Sequence, residues 1–281
     1  KAVYNQKIYS LPFNMNTFFE IWGTISPKEA EEKINQQKLI LNREPKNLEE
    51  QALSLVGKDI YEILIKEYTK KQWKKEPIEL PSFIIKRLPI RFTYNNNYFN
   101  DKYQGIPIDG YDTLFNKMLH NIPVMLNTNY FDNKNFFDLQ AEKIVFTGKI
   151  DEFYDYQFGE LEYRALEFDT KILEMENYQG TAVINYNNIE IPYTRIIEHK
   201  HFNNDKSKIT IVTKEIPVDW DKEKIPYYPI NDDKNMSIYK KYKDLSNKET
   251  KYIFGGRLSE YRYYDMHQVI GSAMSTYKNY K

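Results

Sequence analysis

The segment that decides the fold is AVINYNNIEIPY, residues 182–193, in which two alternating runs flank a pair of asparagines. Ala182, Ile184 and Tyr186 recur at every second position before the pair, and apolar residues recur in the same way at 189, 191 and 193. A period of two is typical of a half-buried strand, and asparagine favours tight turns. The pattern therefore predicts an antiparallel hairpin with its turn at residues 187–188.

Outside this hairpin the sequence predicts both strands and helices. Short apolar runs at 143–146, 208–213 and 252–256 indicate further strands. Ser26 followed by Pro27 and Glu29 is typical of a helix start, as is Asn47 followed by two glutamates. Residues 111–119 and 266–280 are also expected to be helical. The predicted fold class is therefore a mixed α+β fold.

Composition narrows the function classes. The 281 residues carry 40 basic and 40 acidic side chains, which argues against a nucleic-acid binder. No run approaches the roughly 20 apolar residues of a membrane span. The absence of cysteine excludes disulfides, thiolate zinc sites and cysteine nucleophiles, and it fits a reducing compartment. The 25 tyrosines suit sugar and phosphate recognition, although an AT-rich genome would also explain them.

Several catalytic motifs are missing. The sequence has ten glycines but neither a G-x-G-x-x-G nor a phosphate-binding P-loop. His199 and His201 lie two residues apart on a predicted strand, where they could share a metal, but ordinary hydrogen bonding is the favoured alternative. No metal site is therefore predicted. If the chain is an enzyme, the sequence favours a cofactor as the source of the reactive atom.

Two segments in the first half could bind a nucleotide. The run YTKKQW, residues 68–73, ends a helix with a tryptophan that could stack on a base, or could instead close the helix as a core residue. The run KRLPIRF, residues 86–92, is a proline-flanked loop whose arginines suit a diphosphate, or are simply solvated.

Three segments in the second half add to them. In PYTRIIEHK, residues 192–200, an arginine from the sheet could share the two phosphates, or could pair with a glutamate. The tyrosine pair of PYYP, residues 226–229, is the second segment. In the third, Gly255 and Gly256 precede Arg257, and a helix starts near Asp265; glycines let a backbone approach a ligand, or simply form a turn.

In this order and wording, these segments resemble the bacterial UDP-galactopyranose mutases. Two shorter matches complete the set, SLPFNMN at residues 10–16 and YQGIP at 103–107. The resemblance covers the chain almost from end to end. It implies an FAD-dependent isomerase that interconverts UDP-galactopyranose and UDP-galactofuranose, in which N5 of the reduced flavin attacks the anomeric carbon of the sugar. It also implies a cytoplasmic enzyme with no nucleic-acid or membrane partner, and it is compatible with a homodimer.

The resemblance assigns roles to residues of this sequence. Arg87 and Arg195 correspond to two catalytic arginines that meet around the diphosphate, the first from a mobile loop. The substrate-binding residues that it implies are Tyr68, Thr69, Trp73 (as the uracil-stacking residue), Tyr98, Asn185, Tyr228 and Tyr263. The cofactor-binding residues that it implies are Arg257, Asp265 and Met266. No metal is implied.

The same resemblance implies four regions. Residues 1–12 would be a strand of a Rossmann-type flavin domain, 13–108 a helical substrate-binding domain with a mobile loop at 81–100, 109–230 a mixed region with an antiparallel sheet, and 231–281 a flavin-contacting segment. Roughly 80 residues with the glycine-rich pyrophosphate site would precede Lys1, and flavin binding and activity are expected to fail without them. Lys74 and Glu67 stand where the family usually has glycine.

Two other functions stay open at this point. The chain could be a UDP-sugar binding fragment without catalysis, or a related flavin oxidoreductase that shares only the C-terminal motif. The sequence also leaves open whether the sugar is galactose or its N-acetyl derivative.

Overall fold

The computed structural model describes residues 1–86 and 88–280. Within them the chain forms two compact units. The first unit contains residues 1–106 and 166–219, and the second contains residues 107–165 and 220–281. The first unit is therefore built from two separate stretches of sequence.

Helices make up most of residues 15–86. They are α1 (Met15–Trp22), α2 (Pro27–Gln37), α3 (Leu48–Ile60), a π-helical stretch (Tyr61–Lys66), α4 (Glu67–Trp73), a 3₁₀ turn (Pro77–Glu79) and α5 (Phe83–Lys86). The side chains of Ser26 and Asn47 accept hydrogen bonds from Glu29 N and Glu50 N. These N-caps satisfy backbone donors that a helix leaves open, and they confirm both predicted helix starts.

Gly57 interrupts α3. Its φ of 77° and ψ of −179° lie in a region that is essentially restricted to glycine. A Cβ at this position would lie 2.9 Å from Gln37 Cβ and 3.3 Å from Ile34 O. The kink and the close approach of α2 therefore both depend on the missing side chain.

The sheet of the first unit is mostly antiparallel. Its strands are β1 (Ala2–Tyr4), β2 (Lys7–Tyr9), β5 (Val183–Tyr186), β6 (Arg195–Glu198), β7 (Thr210–Val218) and the end of β4 (Tyr163–Leu173) from residue 166 onward. Their order is β2-β1-β5-β6-β7-β4, and β1 with β5 is a parallel pair. A short helix, α9 (Lys200–Asn203), follows β6.

Only the first strand of the predicted hairpin forms where it was expected, and the predicted turn and second strand are wrong. β5 pairs antiparallel with residues 195–198 and not with 189–193. The asparagine pair is bound elsewhere: Asn187 N donates to Val3 O at 2.9 Å, and Asn187 Nδ2 donates to Ile63 O at 3.0 Å. These contacts hold residues 187–194 as a long loop and prevent the tight turn.

The second unit combines short strands with helices around an aromatic core. Its elements are α6 (Gly110–Met118), a 3₁₀ turn (Tyr130–Asn133), α7 (Lys134–Gln140), β3 (Ile144–Phe146), α8 (Ile150–Phe153), the start of β4, β8 (Tyr228–Pro229), α10 (Asp233–Ser246), β9 (Tyr252–Phe254), α11 (Gly256–Ser259) and α12 (Met266–Tyr280). β3 pairs parallel with β9, and β4 pairs antiparallel with β8. Tyr163, Tyr242 and Tyr261 are fully buried at its centre.

These elements confirm the predicted mixed α+β class with a mostly antiparallel sheet. None of the helices that the structure describes is both long enough and apolar enough to cross a membrane. The four regions proposed from the sequence stay a prediction.

Candidate functional site

Arg195 is the centre of the predicted site in the first unit. It begins β6, opposite Asn185 on β5 and opposite Glu215 on β7. Its Nη2 donates a hydrogen bond to the Tyr68 hydroxyl at 2.7 Å, and its Nε lies 3.4 Å from Glu215 Oε1. Thr194 Oγ1 also donates to Glu215 O at 3.1 Å. The guanidinium is thus held in one orientation by a phenol and a carboxylate.

The surroundings of Arg195 are unevenly buried. The Glu215 side chain is 6% exposed, whereas 27% of the Arg195 side chain is accessible. Burial raises the pKa of the Tyr68 phenol, and the charge of Arg195 opposes that rise. Tyr68 therefore stays protonated at neutral pH, and part of Arg195 remains reachable from solvent. Such a fixed cation can bind an anion with little loss of side-chain entropy.

The other predicted residues of this unit lie around α4 and the loop after α5. Thr69 and Trp73 are each 6% exposed, and Tyr98 is 40% exposed. The tryptophan ring is buried in this structure, as expected for a core tryptophan, and its uracil-stacking role stays a prediction. The Arg87 prediction lies outside the described residues.

The segment predicted as a mobile loop, residues 81–100, is attached to the start of α1. Arg91 N donates to Phe13 O at 2.9 Å, and Met15 N donates to Thr93 O at 3.1 Å. Asn14 Nδ2 also donates to Asn96 Oδ1 at 2.7 Å. These contacts tie residues 91–96 to the start of α1, and the mobility of the segment stays a prediction.

Lys74 ends α4 in the left-handed conformation, with φ 53° and ψ 28°. A residue with a Cβ is strained in this conformation because the Cβ approaches the following carbonyl oxygen, and glycine avoids that cost. We expect Lys74→Gly to raise the free energy of unfolding by about 0.5–1 kcal/mol. Urea denaturation followed by circular dichroism measures this change.

Lys33→Gly is the matched control for this prediction. Lys33 is exposed inside α2, where glycine costs about 1 kcal/mol relative to a good helix former. The two lysine-to-glycine substitutions should therefore change stability in opposite directions. A loss of stability in both variants would contradict the left-handed assignment at Lys74.

A second group of predicted residues lies in the second unit. The rings of Tyr228 and Tyr263 stack with centroids 5.2 Å apart, and the Arg257 guanidinium lies 5.6 and 5.8 Å from the two centroids. Arg257 also donates to Tyr227 O at 3.0 Å and to Tyr264 O. Cation–π contacts and backbone carbonyls therefore hold Arg257 against a pair of tyrosines.

Asp265 and Met266 lie at the start of α12. Asp265 N donates to Gln268 Oε1 at 2.8 Å, and Asp265 O accepts from Val269 N at 3.1 Å. Met266 is 55% exposed. The structure thus groups Arg257 with two tyrosines, and it places Asp265 directly before α12 and Met266 at its first position.

The two histidines do not share a strand. His199 directly precedes α9, and its Nε2 lies 2.8 Å from Thr213 Oγ1. His201 Nε2 lies 3.1 Å from Glu198 Oε2. Burial of Glu198 opposes ionisation, but hydrogen bonds from Gln179 N, Tyr178 N and other donors outweigh it and lower its pKa to about 2. Among the described residues no group of three or more His, Cys, Asp or Glu could hold a metal ion.

Sequence reasoning missed two residues of the first group, Glu215 and Lys71, and it noted Glu67 only as a departure from the family pattern. Glu215 faces Arg195 only because β6 and β7 pair in this register. Glu67 Oε2 accepts from Ile189 N, and Lys71 Nζ donates to carbonyls of the same loop. A buried charge inside a strand or a helix was the only signal available, and it does not name its partner.

Comparison with known proteins shows which family the chain belongs to. The family model for UDP-galactopyranose mutase matches residues 63–263. The dTDP-fucopyranose mutase of Escherichia coli is 41% identical over 281 residues, covering 98% of this chain and 74% of that protein. A protein of Klebsiella pneumoniae described as a probable UDP-galactopyranose mutase is 40% identical over 280 residues, covering 98% of this chain and 72% of that protein.

A more distant relative and a solved structure are also UDP-galactopyranose mutases. The UDP-galactopyranose mutase of Mycoplasma genitalium is 31% identical, covering 93% of this chain and 69% of that protein. A crystal structure of reduced UDP-galactopyranose mutase superposes with a TM-score of 0.54 at 11% identity, covering 84% of this chain and 68% of that one, and shows a shared fold. These comparisons place the chain among the mutases. It belongs to the UDP-galactopyranose mutase family, as the motifs indicated.

Proposed function

We propose that this chain carries the substrate-binding part of a nucleotide-sugar mutase that interconverts UDP-galactopyranose and UDP-galactofuranose with reduced FAD. The observation that carries the proposal is the Arg195 guanidinium, held between the Tyr68 hydroxyl and Glu215. A preoriented arginine fork matches the oxygens of a diphosphate better than a flexible cation does.

Each group of residues has its own task in this proposal. In the first unit Arg195 and Tyr68 bind the diphosphate. Asn185, which pairs with Arg195 in the sheet, and Thr69, which follows Tyr68 in the chain, also bind the substrate, as does Tyr98. Trp73 stacks on the uracil after its ring face opens, and Arg87 provides the second arginine. In the second unit Tyr228 and Tyr263 are the substrate-binding residues that we propose. Charge-assisted contacts of this kind contribute about 1.5–3 kcal/mol each.

The residues of the second unit fit a flavin. A Cβ at Gly255 would meet nothing within 4 Å, so the backbone there is open to a planar ring. Arg257 is fixed beside this turn and supplies positive charge, while Asp265 and Met266 contribute at the start of α12. When bound, the reduced flavin would supply the nitrogen nucleophile for the anomeric carbon. Arg257, Asp265 and Met266 would orient it.

A second candidate substrate is dTDP-fucopyranose. It is favoured by the 41% identity to the dTDP-fucopyranose mutase, which is as high as the 40% identity to the Klebsiella protein. The two substrates share the diphosphate that Arg195 would bind. They differ by the thymine methyl group, the 2′-hydroxyl and the sugar 6-hydroxyl, so identity alone does not choose between them.

Binding and turnover of the two substrate pairs test this proposal. We expect the chain to bind UDP in titration calorimetry, and we expect the full-length gene product with reduced FAD to convert UDP-galactofuranose into UDP-galactopyranose. Preferred turnover of dTDP-fucofuranose would select the second candidate. UDP binding without turnover by the full-length gene product would favour a binding protein, and substrate-dependent hydrogen peroxide would favour an oxidoreductase.

A further inference from the structure

Lys71 is a buried cation on α4 that the proposed chemistry does not use. Its residue is 4% exposed, and its Nζ donates to three backbone carbonyls: Tyr186 O at 2.5 Å, Asn188 O at 2.9 Å and Ile191 O at 3.1 Å. All three carbonyls belong to the end of β5 and the loop that follows it. One ammonium group therefore uses its three donors on a single short stretch of backbone.

Glu67 lies one helical turn before Lys71 and binds the same loop with the opposite charge. Its Oε2 accepts from Ile189 N at 2.8 Å, and its Oε1 accepts from the Tyr4 hydroxyl at 3.4 Å. Residues four apart lie on one face of a helix, so the carboxylate and the ammonium meet the loop side by side. The loop offers each of them the matching backbone group, an N–H for Glu67 and carbonyls for Lys71.

The fixed loop joins the two strands that carry the predicted diphosphate residues. It leaves β5 directly after Asn185 and Tyr186, and it enters β6 at Arg195. Tyr68, which lies between Glu67 and Lys71 in the helix, accepts the hydrogen bond from Arg195. The helix is therefore attached to the loop at two residues and to the arginine at a third.

We propose that Lys71, assisted by Glu67, is a positioning residue that holds α4 against the β5–β6 loop and thereby fixes Arg195 on the Tyr68 hydroxyl for nucleotide-diphosphate binding. This inference rests on the proposed function of Arg195. A displaced loop would leave the buried ammonium without its carbonyls, which is costly in an apolar environment. Burial lowers the pKa of Lys71 to about 8, while the charges of Glu190 and Glu67 oppose that shift.

The test compares Lys71→Met with Lys70→Met in the same chain. Lys70 is on the same helix with its side chain 47% exposed, so its replacement preserves helix propensity and leaves the loop contacts intact. We expect Lys71→Met to weaken UDP binding at least tenfold in titration calorimetry, below the melting temperature of each variant. Lys70→Met should change the affinity less than twofold.

A double-mutant cycle separates positioning from general stability. If Lys71 acts through Arg195 and Tyr68, Lys71→Met should cost much less affinity in a Tyr68→Phe background than in the wild type. Equal losses in both backgrounds, or unchanged affinity in Lys71→Met, would overturn the inference and leave the proposed function standing. If Lys71→Met does not fold, Glu67→Gln replaces it, with an expected loss of about threefold; an unchanged affinity would again count against the inference.

If the wild type binds neither UDP nor dTDP, the inference can still be tested by a measurement that needs no ligand. That result would refute the proposed function itself. Hydrogen exchange of residues 186–196 then tests whether Lys71 holds the loop. Faster exchange in Lys71→Met but not in Lys70→Met supports the inferred attachment, and equal exchange in the two variants contradicts it.

Discussion

Replacing Arg195 with alanine is expected to weaken UDP binding by about a hundredfold, because it removes two charge-assisted contacts to the diphosphate. The same change should abolish turnover by the full-length gene product with reduced FAD. It would also remove the partner of the Tyr68 hydroxyl and leave the largely buried Glu215 carboxylate without its arginine. Titration calorimetry measures the affinity, and thermal unfolding shows the accompanying loss of stability.

Arg195→Lys and Glu215→Gln are the controls for this experiment. Lysine keeps the charge but not the planar fork, so its affinity should lie between those of the wild type and Arg195→Ala. Glu215→Gln keeps a polar contact to Arg195 and should weaken UDP binding only several-fold. Full affinity in a folded Arg195→Ala variant would remove the main support for the proposed function.

Replacing Gly57 with alanine is expected to lower the free energy of unfolding by about 3 kcal/mol. Two costs combine at this position. The backbone at φ 77° and ψ −179° is strained for any residue with a Cβ, and the new methyl group would lie 2.9 Å from Gln37 Cβ. Urea denaturation of the purified variant gives this value directly.

Gly23→Ala separates the two costs. Gly23 also has a positive φ, 71°, but a Cβ there would meet nothing within 4 Å. This variant should lose only about 1 kcal/mol, the cost of a left-handed residue without a clash. Similar losses in the two variants would show that α2 does not pack against Gly57 as described.

Local patterns in the sequence were enough to predict the class of fold. Ser26 and Asn47 carry their own capping chemistry, so the helix starts could be predicted from a few neighbouring residues. The turn between β5 and β6 could not be predicted in this way. Alternation at 189, 191 and 193 favoured a strand, but contacts from Lys71 and Ile63, more than a hundred residues away, hold this segment as a loop.

The same contrast applies to the candidate site. The motifs singled out Arg195 and Tyr68, and the structure joins them by a hydrogen bond. The roles of Glu215 and Lys71 could not be predicted, because strand register places Glu215 beside Arg195 and the packing of α4 places Lys71 against the loop. A charged residue in an element's interior signals burial, but tertiary structure decides what it binds.

The way that β1 joins the sheet has a consequence for the order in which the protein is made. Ala2 pairs with Asn185, and Asn5 bonds with Asn188, 183 positions later. β1 can therefore pair with β5 only after residues 183–186 have left the ribosome, and residues 107–165 emerge before them. Such long-range closure is slow compared with helix formation. During synthesis, the helices from α1 to α4 are expected to form well before β1 pairs with β5.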